Sequence, residues 1–211
     1  MFKVLHVMSA LAPTSGGTTE ALKGLAAEQA RRGLSVTVAV TDRGNPASER
    51  LQLSYFQGLY DGAVTIRAFP VSLPALLWSP SMRTWLRRHA AEFDLMHVHG
   101  LYRFPPTYAA REARRQRMPY VITPHGALDP YMYDKSTAGS VRLKRLYERW
   151  FDLPNLNAAD AIHFTTQDEQ ERASFLGLRA RSFVAPIGVD WRPFRVLPER
   201  GALRRRWGVG E

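Results

Sequence analysis

Lys3-Val4-Leu5-His6-Val7-Met8-Ser9 is followed by Ala10-Leu11-Ala12-Pro13-Thr14-Ser15-Gly16-Gly17-Thr18-Thr19-Glu20. The first stretch reads as a buried strand. Residues Ala21 to Arg32 read as a helix, closed by Gly33. The glycine pair Gly16-Gly17 therefore falls at a strand-to-helix turn. Glycine there lets backbone approach a ligand closely, and the helix N-terminus behind it favours an anion. A phosphate-bearing ligand fits, most simply a nucleotide or a nucleotide-sugar. An ordinary tight turn would leave the same trace. The G-x-G-x-x-G spacing of a dinucleotide site and the lysine of a phosphate-binding P-loop are both missing.

The same alternation runs through the chain. Val36–Val40, Val64–Phe69, Leu95–His99, Tyr120–Thr123, Ala161–Thr165 and Arg181–Ala185 read as further strands. Helices are expected over Ser79–Ala91, Arg103–Arg117 and Gln167–Leu176, and a polar connection over Asp42–Asp61. Short apolar strands separated by helices predict a parallel sheet covered on both faces. The expected fold class is α/β, a Rossmann-like doubly wound parallel sheet of about seven strands. One excursion, Gly126 to Asp160, carries the aromatic run Leu128–Tyr133 and a basic helix over Val141–Phe151. Leu143, Leu146, Tyr147 and Trp150 recur at helical spacing there and predict a face packed on the domain.

Composition narrows the function. The 211 residues contain no cysteine, which excludes disulfides and thiolate chemistry. No signal-peptide cleavage pattern is expected at the N-terminus, and no apolar run reaches the roughly 18 residues of a membrane span. A net charge of +10 favours an anionic partner, or simply reflects an arginine-rich coding bias. The aromatic residues do not form a stacking platform, so nucleic acid is not the expected partner. Leu76-Leu77-Trp78, Trp85, Arg83, Arg87 and Arg88 cluster around one predicted helix. They read as a peripheral membrane contact or as a half-buried helix with a solvated basic face.

In such a sheet, ligands bind beyond the carboxyl ends of the strands. The residues there are Gly16-Gly17, His99 through Arg103 with Tyr102, Pro124-His125-Gly126, Thr166 through Glu169, and Pro186 through Asp190. His125 can donate or accept a proton near neutral pH, or simply shape its loop. Thr166 and Glu169 read as ligand contacts or as helix caps. Asp129 reads as a partner for an acceptor hydroxyl or as the start of a turn before Pro130. His99 could border an acceptor. His97 reads as a core histidine. A metal held by His97, His99 and His125 lacks supporting carboxylate or cysteine spacing, and no metal is expected.

Four strings extend the argument. They are Gly16-Gly17 with its helix ending at Arg32-Gly33-Leu34; Asp94-Leu95-Met96-His97-Val98-His99-Gly100; Pro119 through Gly126; and Leu156 through Thr166 with Glu169, followed by Ala185-Pro186-Ile187-Gly188-Val189-Asp190. In this order they resemble the N-terminal half of a two-domain GT-B glycosyltransferase of the retaining family four (GT4). Ile187 stands where that family usually has asparagine.

The resemblance implies a transferase using a nucleotide-sugar donor, with no cofactor and no metal. Residues 1–190 would form the acceptor-side domain, and 191–211 the linker and first helix of a C-terminal donor-binding domain that is missing. His125 would be catalytic, contacting the donor sugar. Gly16, Gly17, Gly126, Thr166 and Glu169 would face the donor, and His99, Tyr102 and Asp129 the acceptor. The acceptor would be a glycan or lipid-linked molecule in polysaccharide or glycolipid synthesis, in the cytoplasm or at the inner membrane surface. The lone chain would be inactive. A non-catalytic subunit of a split transferase, or a scaffold protein, remains the alternative.

Overall fold

The computed structural model describes residues 1–13, 16–43, 50–57, 62–131, 138–189, 195–196 and 199–209. Expectations placed on Met132-Tyr133, Asp190 and 191–194 lie outside these residues.

Seven strands form one sheet in the order β3-β2-β1-β4-β5-β6-β7. They are β1 (Lys3–Met8), β2 (Ser35–Thr41), β3 (Thr65–Phe69), β4 (Leu95–His99), β5 (Tyr120–Thr123), β6 (Ala161–Phe164) and β7 (Ser182–Val184). All six pairings are parallel. The central strands β1, β2 and β4 are buried on both faces, whereas the edge strands β3 and β7 are partly exposed. The order reverses between β1 and β4, which opens a crevice at their carboxyl ends.

Among the described residues, seven helices lie between strands, α1 (Gly17–Arg31), α2 (Leu53–Gln57), α3 (Pro80–His89), α4 (Phe104–Gln116), α5 (Ala138–Tyr147), α6 (Leu153–Asn157) and α7 (Gln167–Arg172), and α8 (Ala202–Trp207) follows β7. Alternation along each strand divides the apolar side chains between two cores. Leu5, Val7, Met96, Val98, Ile122 and Ile162 pack with Met82 of α3 and Ala109 of α4. Met8, Val36, Val38 and Val40 pack on the other face with Leu22 of α1 and Phe56 of α2.

Local chemistry explains the helix ends. Ser79 caps α3, its hydroxyl accepting from the Met82 N–H, and Pro80 takes the first helical position. At the end of α1, Gly33 adopts φ 85° and the Leu34 N–H returns to the Gln29 carbonyl. Asp94 and Asp160 each receive the first backbone N–H of a neighbouring strand, from Lys3 and Tyr120. These two acids of the quoted strings therefore pin strand register at the end of the sheet opposite the crevice.

Three expectations need correction. The connection Asp42–Asp61 contains α2, which buries Phe56. Helix α7 tightens into a 3₁₀ turn at Ala173–Leu176, ahead of Gly177 in a left-handed conformation. The third concerns the excursion. Leu143, Leu146 and Trp150 are 69%, 54% and 67% exposed, and of the expected face only Tyr147 is partly buried. The face that packs is polar: α5 passes into one π-helical turn, Glu148–Asp152, whose carboxylates turn inward. Tyr102 donates its hydroxyl to Glu148 at 2.9 Å and its N–H to Asp152 at 3.0 Å. Thr107 donates to Asp152 at 2.9 Å and accepts from the Tyr147 hydroxyl.

Candidate active site

Helix α1 starts at Gly17, four residues earlier than expected, with Gly16 as its N-cap. Gly16 has φ 73° and ψ −151°, a combination open almost only to glycine. A Cβ added at Gly16 or Gly17 would meet nothing within 4 Å, so their faces are open. Thr19 fixes the turn by donating its hydroxyl to the Ala12 carbonyl. An open helix N-terminus at the crevice beside β1 suits an anionic group.

The loop after β5 supplies the second element. His125 (φ 54°) and Gly126 (φ 76°) are consecutive left-handed residues, and His125 is half-buried. Glu169 holds this loop. One carboxylate oxygen accepts from the Gly126 N–H at 2.6 Å; the other accepts from the Thr165 N–H and hydroxyl at 2.7 and 2.8 Å. Thr166 caps α7, accepting from the Glu169 N–H at 3.0 Å. Glu169 thus positions the His125 loop, while Thr166, which is exposed, caps α7.

The residues expected to face the acceptor also make contacts within the protein. Asp129 accepts from the Tyr131 N–H at 2.8 Å, the turn before Pro130, and lies 3.5 Å from Arg172. Tyr102 turns to Glu148 and Asp152, with the Lys144 ammonium 4.4 Å from its ring centroid. His99 is only 3% exposed and lies behind His125.

Behind His125 the sheet face toward α1 is lined by imidazoles. His6 of β1 pairs in register with His97 of β4, and His99 follows on the same face. His125 and His99 are 3.1 Å apart (Nε2 to Nδ1), and His99 and His6 3.0 Å (Nε2 to Nδ1). His6 Nε2 lies 2.7 Å from the Gln29 Oε1 of α1. A second run passes from His97 through Thr123 to His163 and the Ala185 carbonyl, at 2.7, 3.0 and 2.8 Å. Burial pushes His6 down to about 4, against the Gln29 hydrogen bond. Burial likewise lowers His125 to about 4, although the Glu169 charge opposes it. Burial first, then the neighbouring imidazoles, holds His97 and His99 well below the usual histidine range. All four are therefore neutral near pH 7.

Ligand nitrogens of His6, His97 and His99 lie within 4.8 Å of one another. This trio differs from the expected one: His6 joins it and His125 does not. Neutral imidazoles are the form that ligates metal, but each ring here already has a hydrogen-bonding partner. His6 and Gln29 carried no motif. The signal available was parity, since His6 shares its strand face with Met8 and hence with α1.

A groove of about 660 Å³ runs over this face. Its floor includes His99, Thr123, His125 and His163; α1 forms one wall and Pro186–Val189 the other. Gly16 and Gly17 stand at the head of the α1 wall. Of the two readings of α3 and the residues before it, the half-buried helix with a solvated basic face describes it better, although Leu76 is exposed. Trp85 packs against Phe69, Leu77 is buried, and Trp78 contacts Phe104, while Arg87 and Arg88 stay in solvent.

Residues 15–191 match the family described as Glycosyltransferase Family 4. The chain belongs to glycosyltransferase family 4. Its fold is that of solved GT-B glycosyltransferases. It is similar to Anabaena Alr3699/HepE, solved in complex with UDP and glucose, at 19% identity and a TM-score of 0.62, covering 99% of this chain and 50% of that one. It is also similar to sucrose-phosphate synthase from Thermosynechococcus elongatus, at 13% identity and a TM-score of 0.61, covering 100% and 53%. The family 4 chain thus spans about half the length of these two structures. No curated protein sequence matches it significantly. Among the described residues, no helix is long and apolar enough to cross a membrane.

Proposed function

We propose that this family 4 chain is the acceptor-side domain of a retaining glycosyltransferase that uses a nucleotide-sugar donor. The donor would lie between residues 1–190 and a second, donor-binding domain that follows the linker at 191–211. The observation that carries the reading is the pairing of two groups at the carboxyl end of the sheet. The open N-terminus of α1 at Gly16-Gly17 offers N–H groups to a diphosphate, and the His125–Gly126 loop offers an imidazole to the sugar. Both stand on rigid supports, Gly16 on its turn and His125 on the Glu169 tether.

Catalysis in this reading is positioning and stabilisation of an oxocarbenium-like transition state, with no metal required. The acceptor is a glycan or a lipid-linked glycan, and the setting is polysaccharide or glycolipid synthesis at the cytoplasmic membrane surface. Contact with lipid falls to a different place from α3. Exposed Leu143, Leu146 and Trp150 alternate with exposed Arg142, Arg145 and Arg149 on α5 and its π-turn. Beside them a groove of about 540 Å³ is lined by Arg111, Arg114, Arg115, Trp150 and Phe151. Apolar and aromatic side chains flanked by arginine suit an anionic bilayer surface.

The test is transfer from labelled nucleotide-sugars to glycan acceptors, with the chain alone and with a donor-binding half supplied. Transfer only in the second case is expected. Turnover by the chain alone would refute the half-site. The HepE complex with UDP and glucose supports the donor class by likeness of fold.

A further inference from the structure

Each imidazole between Gln29 and His125 uses both ring nitrogens. His125 Nε2 meets His99 Nδ1, His99 Nε2 meets His6 Nδ1, and His6 Nε2 meets Gln29 Oε1. A neutral imidazole has one N–H and one lone pair, so such a chain is satisfied only if every bond points the same way. The amide oxygen of Gln29 can only accept. It therefore requires N–H at His6 Nε2, which leaves His6 Nδ1 as acceptor for His99 Nε2–H. His99 Nδ1 then accepts from His125 Nε2–H. His125 is left with a bare Nδ1, and among the described residues no partner reaches that atom. His125 itself lines the groove.

The second run is oriented by a different terminus. The Ala185 carbonyl only accepts, so His163 carries N–H at Nε2, Thr123 donates to His163 Nδ1, and His97 donates to Thr123. A backbone carbonyl cannot be reversed. A side-chain amide can, because its other end is a donor. Gln29 is therefore the one switchable terminus of the pair. It sits in the last turn of α1, where its own carbonyl is held by the Leu34 N–H.

We infer that Gln29, in the last turn of α1, sets the ring tautomer of His125 through His6 and His99, so that His125 meets a sugar hydroxyl as a hydrogen-bond acceptor at Nδ1. The role at the sugar rests on the transferase reading above; the orientation of the chain of imidazoles does not. Gln29 is a positioning residue in this account. Its effect is a choice between two tautomers, which separates it from a merely structural contact.

The experiment is proton–nitrogen correlation spectroscopy of this chain with ¹⁵N-labelled histidine, above the histidine titration range. N–H at Nε2 is expected for His6, His99 and His125 in the unaltered chain and in Gln29→Glu, which keeps an acceptor. Gln29→Lys, which can only donate, should move all three protons to Nδ1. Gln29→Met should give a mixture. His163 is the internal control and keeps N–H at Nε2 in every variant whose fold is intact. A His125 tautomer that is the same in Gln29→Lys as in the unaltered chain would overturn the inference. So would zinc titration that shifts His6, His97 and His99 together as metal ligands. In the transferase assembled with its donor-binding half, Gln29→Lys should lower kcat/KM about tenfold, the worth of one hydrogen bond. A reversed tautomer with unchanged kcat/KM would overturn the acceptor role while leaving the orientation of the chain intact.

Discussion

His125 combines two properties that pull in different directions. Its φ of 54° is a backbone conformation that side chains seldom adopt, and its imidazole is neutral because burial lowers it to about 4. Asparagine tolerates left-handed backbone better than alanine does. His125→Asn should therefore keep the unfolding temperature within a few degrees while lowering turnover of the assembled transferase by about tenfold or more, as expected for the loss of a hydrogen bond made at the sugar. Comparing thermal unfolding with kcat separates the two effects.

The buried histidines also make stability depend on pH. The unfolded chain binds a proton on His6 near 6.5, whereas the folded chain binds it only near 4. Between these values the unfolded state holds more protons, so stability falls as pH drops. It is fully present above 6.5. The His6 difference corresponds to about 3 kcal/mol, and His125 acts in the same window. Urea unfolding across this range should show a decline toward pH 4. A flat profile would mean that these imidazoles are not buried neutral.

Among the elements, the N-terminus of α1 separates folding from binding. Gly16 occupies a glycine-only conformation, so Gly16→Ala should cost about 1–3 kcal/mol in urea unfolding. Gly17 is already helical with open space before it, so Gly17→Ala should be neutral or slightly stabilising. The added methyl should nevertheless weaken binding of a nucleoside diphosphate sugar, measured by calorimetry. Glu169→Gln tests the tether of the His125 loop. Replacing one oxygen with an amide sets a donor against a backbone N–H, and a loss of about 1–3 kcal/mol is expected in the same unfolding assay.

Sequence legibility follows from what each pattern encodes. Strands β4 and β5 were readable to the residue, because a buried parallel strand is an apolar run bounded by turn residues. Helix α2 was hidden, because one turn and a half around Phe56 is too short to show a period. On α5 the spacing of Leu143, Leu146 and Trp150 marked an amphipathic helix, but not which face turns inward. The inward face is held by Glu148 and Asp152, whose partners Tyr102 and Thr107 lie more than forty positions away. At the site, glycines and the Pro124-His125-Gly126 turn were readable from their place after strands. For Thr166 and Asp129 the sequence offered the cap and the turn as one of two readings and could not choose, since these use the same residue types as ligand binding; the tether from Glu169 to Gly126 carried no signal. His6 lacked any motif, and only its register opposite His97 brings it into the cluster.

For the whole molecule, charge and exposed apolar surface converge on α5. The net charge of +10 gives an attractive field toward anionic surfaces, and the exposed Leu143, Leu146 and Trp150 give that field a place to dock. Vesicles rich in anionic lipid should sediment the chain, and neutral vesicles should not. Leu146→Asp with Trp150→Asp should abolish sedimentation with little change in stability, because both positions are in solvent. Binding that survives these changes would place the contact elsewhere.

The central claim is that Gly16-Gly17 and the His125–Gly126 loop form one wall of a nucleotide-sugar site. Titrating the ¹⁵N-labelled chain with a panel of nucleoside diphosphate sugars tests it most directly. The account predicts weak, saturable shifts at the amides of Gly16, Gly17 and Gly126 and at the His125 ring, lost in Gly17→Ala for at least one donor. Saturable binding that leaves those four positions unmoved, or no binding by any donor, would contradict it.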